Sequence, residues 1–254
     1  MQYDVSHVLS ENLDRLTRCL EQNPCDLLLL PELSLCGYLF EDRHQLAACA
    51  QEVPAGPAVL AVAELSGRYG RTVVFGLAEK EGDRIYNTAV IVSKGRYIGK
   101  YRKIHLSDFE KKYFDPGQEN SVFTVDGVRI GVQICFDLWF PEVSRRQIRQ
   151  GADLLLALAN FGGETTCHIA RVRAIENLTP LVLCNRVGRE TIPGMDAEFL
   201  GKSAITDAAG QYLVAAPAGT ESTGFADLTF TGRRANVICS DFDREIAFHY
   251  PDGR

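Results

Sequence analysis

RIGVQICFDLWFPE, Arg129 to Glu142, is the stretch on which the reading of the fold turns. Val128, Ile130, Val132 and Ile134 alternate with Arg129, Gly131, Gln133 and Cys135, a period of two that predicts a strand. Pro141 suits the first turn of a helix, which is expected to run through Glu142 to Gln150 and stop at Gly151. Cys135 therefore falls where a strand gives way to a short loop and a helix. That is the carboxyl edge at which open α/β sheets bind ligands. The same local pattern fits a small buried hydrophobe, which is what most free cysteines are, so the stretch alone leaves the role of the thiol open.

On either side, strand and helix patterns alternate. VFTVDGVRIGVQIC reads as a hairpin turning at Asp126-Gly127, and IYNTAVIVSKGRYIGKYRK as two strands joined at Lys94-Gly95. CDLLLLPE, RTVVFGLAE, ADLLLALAN and PLVLCN read as further strands, the continuous apolar runs as strands buried on both faces. Ser10 is expected to cap a helix from Glu11 to about Gln22 with Leu13, Leu16 and Leu20 on one face. A second helix opens at Gly56-Pro57 and ends at Gly70, and a third lies near Thr166–Leu178. SAITDAAGQYLVAA and TGFADLTF look like hairpins. This alternation predicts an α/β layered fold with a mixed sheet. No linker, repeat or low-complexity stretch divides the chain, so a single domain over 1–254 is expected.

Composition narrows the function classes. The chain has 254 residues, 46% apolar and 24% charged, with a formal net charge of −6 and no long charge runs. Nothing is basic enough for nucleic acid, and the longest apolar runs fall far short of a bilayer span. MQYDVSHVLSENLD lacks a basic segment followed by an apolar one, so no secretory leader is expected. The eight cysteines are expected to be reduced and mostly buried, as in a cytoplasmic protein. With no Cys-x-x-Cys pair and no His-x-x-x-His pair, no metal is expected, and without the glycine pattern of a dinucleotide site no organic cofactor is either.

Four apolar runs end in a polar residue: Glu32, Cys135, Asn160 and Asn185. If their strands are parallel neighbours, the four side chains gather on one edge. A catalytic thiol at Cys135 needs a base, because a free cysteine has a pKa of about 8.5 and is a few per cent thiolate at neutral pH. None of the five histidines sits at a strand end as Glu32 does. A carboxylate titrating at about 4.3 in water becomes a useful base once burial raises it. Lys103, in GKYRKIHL, is a candidate to hold a developing oxyanion, with Tyr97, Gly99, Tyr101 and Lys103 on one side of a strand if the alternation holds. A solvated Glu32 and an exposed strand-end Lys103 are the plainer alternatives.

Taken together, PELSLCGY, YRKIHLSDFEKKYFDPG and GVQICFDLWFPE resemble the three active-site motifs of the nitrilase superfamily, the carbon–nitrogen hydrolases, in order and spacing. RAIEN at 173–177, NRVGRE at 185–190 and FLGKSAITDAAG at 199–210 fit too. The resemblance implies a four-layer αββα sandwich with two mixed β-sheets, paired into a homodimer or higher homo-oligomer across a helical face. The tail from Arg233 to Arg254, with Phe248 and Tyr250, is a candidate to pack there. It implies Glu32 as general base, Lys103 as oxyanion-stabilising cation, Cys135 as nucleophile, and Glu110, six residues before Pro116, as an aid to positioning Lys103 and the substrate. The backbone N–H of Phe136 is expected to complete the oxyanion hole. Glu142 is expected to help start its helix, and Arg173 and Glu176 to brace theirs. Family members usually begin with a strand ahead of the Gln corresponding to Gln2, so the first strand reads as truncated, leaving a sheet neighbour partly unpaired.

The expected activity is hydrolysis of a small non-peptide amide to acid and ammonia through a thioester. Cys-Phe-Asp at Cys135–Asp137 favours amides over nitriles, since true nitrilases tend to carry Cys-Trp-Glu. A nitrilase, an N-carbamoyl amine amidohydrolase and, more remotely, a non-catalytic binding module on the same fold are the alternatives. Tyr38, Asn160, Phe161 and Asn185, with Leu35 and His168, are expected around the substrate.

Overall fold

The computed structural model describes residues 1–230, 232 and 234–249, without the side chains of 248 and 249. The elements in chain order are α1 (Leu9–Gln22), β1 (Leu27–Leu29), α2 (Arg43–Cys49), α3 (Pro57–Tyr69), β2 (Thr72–Glu81), β3 (Arg84–Ser93) and β4 (Arg96–Arg102). There follow β5 (Val122–Val125), β6 (Val128–Ile134), α4 (Pro141–Arg149), β7 (Leu154–Ala159), α5 (Thr165–Asn177) and β8 (Leu181–Asn185). Last come β9 (Val187–Ile192), β10 (Met195–Leu200), β11 (Ala204–Thr206), β12 (Tyr212–Ala215) and α6 (Phe242–His249).

Two mixed sheets face each other. One has the order β1-β2-β3-β4, the other β12-β11-β8-β7-β6-β5, with β9 and β10 forming a separate hairpin. In the first sheet β1 is parallel to β2 and the other pairs are antiparallel; in the second, β6, β7 and β8 are parallel neighbours. Side chains from both inner faces mesh in one core: Leu29, Val74, Ile91 and Tyr101 from the first, Ile130, Val132, Ile134, Leu156 and Leu158 from the second. The outer face of the first sheet is covered by α1 and α3, through Leu16, Leu20, Val59 and Val62 on Val73, Phe75 and Val90. Ile148 of α4, Ala170 and Ala174 of α5 and Ile246 of α6 cover the outer face of the second, on Leu155, Ala157 and Leu183. The result is the αββα sandwich. Burying a strand on both faces needs the unbroken apolar runs seen in β1 and β7.

The hairpin turns follow the residues that favour left-handed backbone. Lys94-Gly95 and Asp126-Gly127 each join paired strands with φ of 50°, 83°, 49° and 82° in turn. α3 begins on Pro57 and ends at Gly70, whose φ is 65°. Three expectations fail locally. α1 is capped from Val8, and its start is fixed by Asn12 reaching back to the Ser6 N–H (3.0 Å) and carbonyl (2.7 Å), so Ser10 lies inside the first turn. TGFADLTF forms no strand. In β4 a register shift opposite Ile91 and Val92 takes Tyr97 out of the row, leaving it exposed while Ile98 packs on the core. Two elements escaped the pattern: α2, capped by the Asp42 carboxylate on the Gln45 N–H, and the β9–β10 hairpin, which turns at Pro193-Gly194.

All eight cysteines are free; Cys19, Cys36 and Cys184 are buried and the other five only partly so, fewer than expected. Among the described residues no helix is long and apolar enough to cross a membrane. Arg233 and Tyr250 to Arg254, together with the Phe248 side chain, lie outside the described residues, and with them both aromatic side chains singled out in the tail expected at a dimer face.

Candidate active site

Glu32 and Cys135 come from different sheets. The three strands that end at Cys135, Asn160 and Asn185 are parallel neighbours, as expected, but the run ending at Glu32 belongs to the facing sheet. The four residues therefore do not share one sheet edge; the sandwich brings the Glu32 loop over the edge of the other sheet. After Leu29 the chain leaves β1 and crosses β2 at Gly76. A Cβ there would lie 2.3 Å from the Leu33 nitrogen, so only glycine admits the crossing. The Asn160 side-chain amide then donates to the Glu32 carbonyl at 2.9 Å, tying the two sheets together at the site.

Lys103 lies just past the end of β4. Its N–H donates to the Asn87 carbonyl at 2.8 Å, and its own carbonyl accepts from Gly117 N–H at 2.8 Å, in the Pro-Gly turn. Its ammonium donates to Glu32 Oε1 at 2.7 Å and Glu110 Oε1 at 2.6 Å. Glu32, Lys103 and Glu110 are 0%, 1% and 1% exposed, so these charges survive burial only by compensating one another. Asn87 Nδ2 also donates to Glu32 Oε1 (2.7 Å) and to Glu110 Oε1 (3.2 Å). Glu110 Oε2 accepts from the Ser107 N–H at 3.0 Å. Of the four carboxylate oxygens in this cluster, Glu32 Oε2 is buried without a partner, as is the Asn87 Oδ1.

The electrostatics split the two carboxylates. Burial pushes Glu32 up to about 7, Lys103 pulls it down, and Glu110 pushes it up again. Burial would raise Glu110 too, but Lys103 and the Ser107 N–H and hydroxyl bring it below the usual carboxylate range. Burial works against the Lys103 charge, yet Glu110 and Glu32 outweigh it and hold the ammonium firmly protonated. The Cys135 thiol is raised well above its ordinary value, first by burial and then by the Glu32 carboxylate, with Lys103 opposing. The site thus holds a neutral thiol within the electrostatic reach of a carboxylate able to accept a proton near neutral pH.

The Cys135 backbone is left-handed, with φ of 47°, at the start of a 3₁₀ turn over Cys135–Trp139. A non-glycine residue persists there only when its surroundings hold it. Asp137 does so. Its Oδ2 accepts from Ile134 N–H (3.1 Å) and from the Tyr101 hydroxyl of the facing sheet (2.8 Å). Its Oδ1 accepts from the His105 N–H at 2.9 Å and lies 3.0 Å from the ring Nδ1. One carboxylate thereby locks the Cys135 turn to the segment that carries Lys103. Phe136 lies in the first turn of this 3₁₀ helix, where N–H groups have no partner within the helix. Arg173 donates to the Leu138 carbonyl at 2.8 Å and pairs with Glu176 at 2.7 Å, bracing the same turn; Glu142 is exposed at the start of α4.

Tyr38 lies within the electrostatic reach of the cluster. Its N–H and that of Leu39 donate to Glu190 Oε2 at 2.9 and 2.6 Å, and its ring packs against Phe109 and Phe199 at 5.9 Å each. Burial raises its phenol well above the usual value, with Glu110 adding to the effect. Asn185 behaves differently from expectation: its amide accepts from Phe161 N–H (3.0 Å) and donates to the Phe161 and Gly201 carbonyls (3.0 and 2.8 Å). It anchors the backbone of Phe161 and has no donor left for substrate. Leu35 packs in the outer core under α1 and α3, and His168 is exposed on α5, so neither lines the site. The sequence reading missed Asn87 altogether, although a polar residue inside the apolar run IYNTAVIV was a visible signal.

The sequence profile of the family described as carbon-nitrogen hydrolase matches residues 1–235. The chain belongs to the carbon-nitrogen hydrolase family. This hydrolase is 36% identical over 242 residues to a nitrilase of Pyrococcus abyssi, covering 93% of this chain and 91% of that one. It is 31% identical over 241 residues to N-carbamoylputrescine amidase of Solanum lycopersicum, covering 85% and 80%. An amidase of Nesterenkonia sp. AN1, solved with acrylamide added at its active-site cysteine, superposes on the hydrolase with a TM-score of 0.71 at 26% identity, covering 86% and 88%. The hydrolase cleaves a carbon–nitrogen bond of the amide type, and these relatives leave the exact substrate undefined.

Proposed function

We propose that the chain converts a small non-peptide amide to its carboxylic acid and ammonia through a thioester on Cys135. The observation that carries this reading is Glu32 Oε2, a buried, unpartnered carboxylate oxygen on a group poised near 7, in the electrostatic reach of a neutral thiol. Glu32 takes the Cys135 proton as sulfur attacks the amide carbon. The oxyanion is held by the Lys103 ammonium and the Phe136 N–H. Glu32 returns the proton to the leaving nitrogen, ammonia departs and a thioester remains. Water, deprotonated by Glu32, attacks the thioester; the acid leaves and the sulfur regains its proton. Glu110 keeps Lys103 charged and aimed.

Among the residues expected around substrate, Asn160 supports amides. Its Nδ2 is committed to the Glu32 carbonyl, so its buried Oδ1 is fixed as an acceptor without a partner. An amide or carbamoyl nitrogen supplies an N–H to it; a nitrile nitrogen supplies none. Tyr38 fits the same region, since the charges of Glu110, Lys103, Glu32 and Cys135 reach its phenol, whereas Phe161 packs against the outer core under α5. The nitrile reading is favoured by the Pyrococcus abyssi relative, and the N-carbamoyl reading by the Solanum lycopersicum one. A cytoplasmic location and a single domain fit the eight free cysteines and the continuous cores. Homodimer formation across α5 and the neighbouring turn fits Trp139, Val172 and Ile175, exposed at 46%, 47% and 41%.

A matched panel of primary amides, N-carbamoyl amines and nitriles, scored by ammonia release, tests the reading. Amides or carbamoyl compounds are expected to outpace their nitriles, and acid quenching is expected to trap an acyl group on Cys135 by peptide mass spectrometry. Ammonia release by Cys135→Ala at the wild-type rate would end it.

A further inference from the structure

Asn87 sits mid-strand in β3, 1% exposed, with both its amide hydrogens spent on Glu32 Oε1 and Glu110 Oε1. These are the same two oxygens that Lys103 reaches. The four side chains therefore close a ring, Lys103–Glu32–Asn87–Glu110, in which each Oε1 takes two donors. The terminal torsion of a glutamate is broad and nearly two-fold, so one ammonium contact leaves the carboxylate free to exchange its oxygens. A second donor from another strand removes that freedom.

We propose that Asn87 is a positioning residue: by fixing Oε1 of Glu32 against the Lys103 ring it makes Oε2 the oxygen that serves Cys135. This rests on Glu32 being the base. The residue type matters. Asn87 separates the two carboxylates with donors and adds no charge, whereas a lysine or an aspartate there would alter the charge balance of the ring. The groups that face Glu32 are Lys103 past β4, Glu110 in its 3₁₀ turn, Cys135 past β6 and Tyr38 in the loop after β1.

The test is the pH dependence of kcat/KM for Asn87→Ala and the nearly isosteric Asn87→Asp, with thermal melting alongside. Losing a donor to the ionised carboxylate is expected to move the acid limb to higher pH by about one unit in Asn87→Ala, and further in Asn87→Asp, which adds an anion. kcat is expected to fall about 10–100-fold at neutral pH with KM little changed, as for a misplaced catalytic group. Thr88→Ala, which removes a hydroxyl bonded to Glu79 from the next position of the strand, is the structural control and is expected to lower the melting temperature without moving the limb. A folded Asn87→Ala with the wild-type limb overturns the proposal. If Asn87→Ala fails to fold, an unmoved limb in Asn87→Asp overturns it. Glu32→Gln in the same assay separates the two readings: wild-type turnover there sinks the base assignment, whereas unmoved limbs beside an inactive Glu32→Gln sink only the role of Asn87.

Discussion

Glu32 and Glu190 are both buried glutamates beside a buried cation, yet one is pushed up to about 7 and the other held at about 2. Burial raises both. Around Glu190 it is overcome: His7 and Arg186 approach it, and its oxygens accept the N–H groups of Tyr38 and Leu39. Arg186 is itself fully satisfied, by Asp4, the carbonyls of Val5 and Val187 and the Phe199 ring. Around Glu32, Oε1 is saturated and Oε2 left bare. The closed cluster is a latch that fastens the loop carrying Tyr38; the open one keeps an acceptor in reserve. The two clusters differ in one atom: Glu190 has both oxygens partnered, whereas Glu32 keeps one free for the role proposed for it.

The comparison breaks most visibly at Glu32→Gln. Removing the proposed base is expected to lower kcat/KM by about 10²–10⁴. A carboxylate whose folded value is raised costs stability once pH exceeds its unfolded value, and the cost is complete above about 7. Glu32→Gln is therefore expected to melt at or above the wild-type temperature at pH 8. A variant that is both inactive and strongly destabilised would mean that Glu32 belongs with the latch.

The pH axis separates the two clusters next. With Glu32 poised at about 7, kcat/KM is expected to drop about tenfold per unit as pH falls below that value. The fold should persist there. Glu190 is lowered, so its contribution is complete above its unfolded value of 4.5 and is lost as pH falls toward about 2. Activity and melting followed together from pH 8 to 3 are expected to fail in that order; coincident loss would erase the distinction.

Glu190→Gln, which leaves the buried Arg186 without its buried carboxylate partner, is expected to cost about 3 kcal/mol at neutral pH. Activity should fall about tenfold as the Tyr38 loop loosens, read by denaturant unfolding and by KM. The smallest effect is reserved for a pair that does neither job. Arg68 and Glu64 are 57% and 71% exposed, one helical turn apart. Arg68→Ala is expected to change stability by less than about 0.5 kcal/mol and leave turnover alone.

The strand into Cys135, the helix from Pro141, the hairpins at Asp126-Gly127 and Lys94-Gly95 and the order Glu32, Lys103, Cys135 were all legible, because each depends on local periodicity, turn chemistry or motif spacing. The Tyr97 bulge and the capping of α1 by Asn12 were not, since each is settled by a partner beyond the local pattern. Asn185 looked like Asn160 from the chain, both ending a parallel strand; only their partners tell them apart, one anchoring Phe161 and the other bonding Glu32.

What the sequence determined by itself was the set of chemical groups and the periods that place them at element ends. What tertiary structure decided was that Glu32 arrives from the opposite sheet, that Asn87 completes its ring, and that one oxygen of four stays bare. Periodicity runs along a strand, but burial and hydrogen-bond saturation are properties of whatever packs across it.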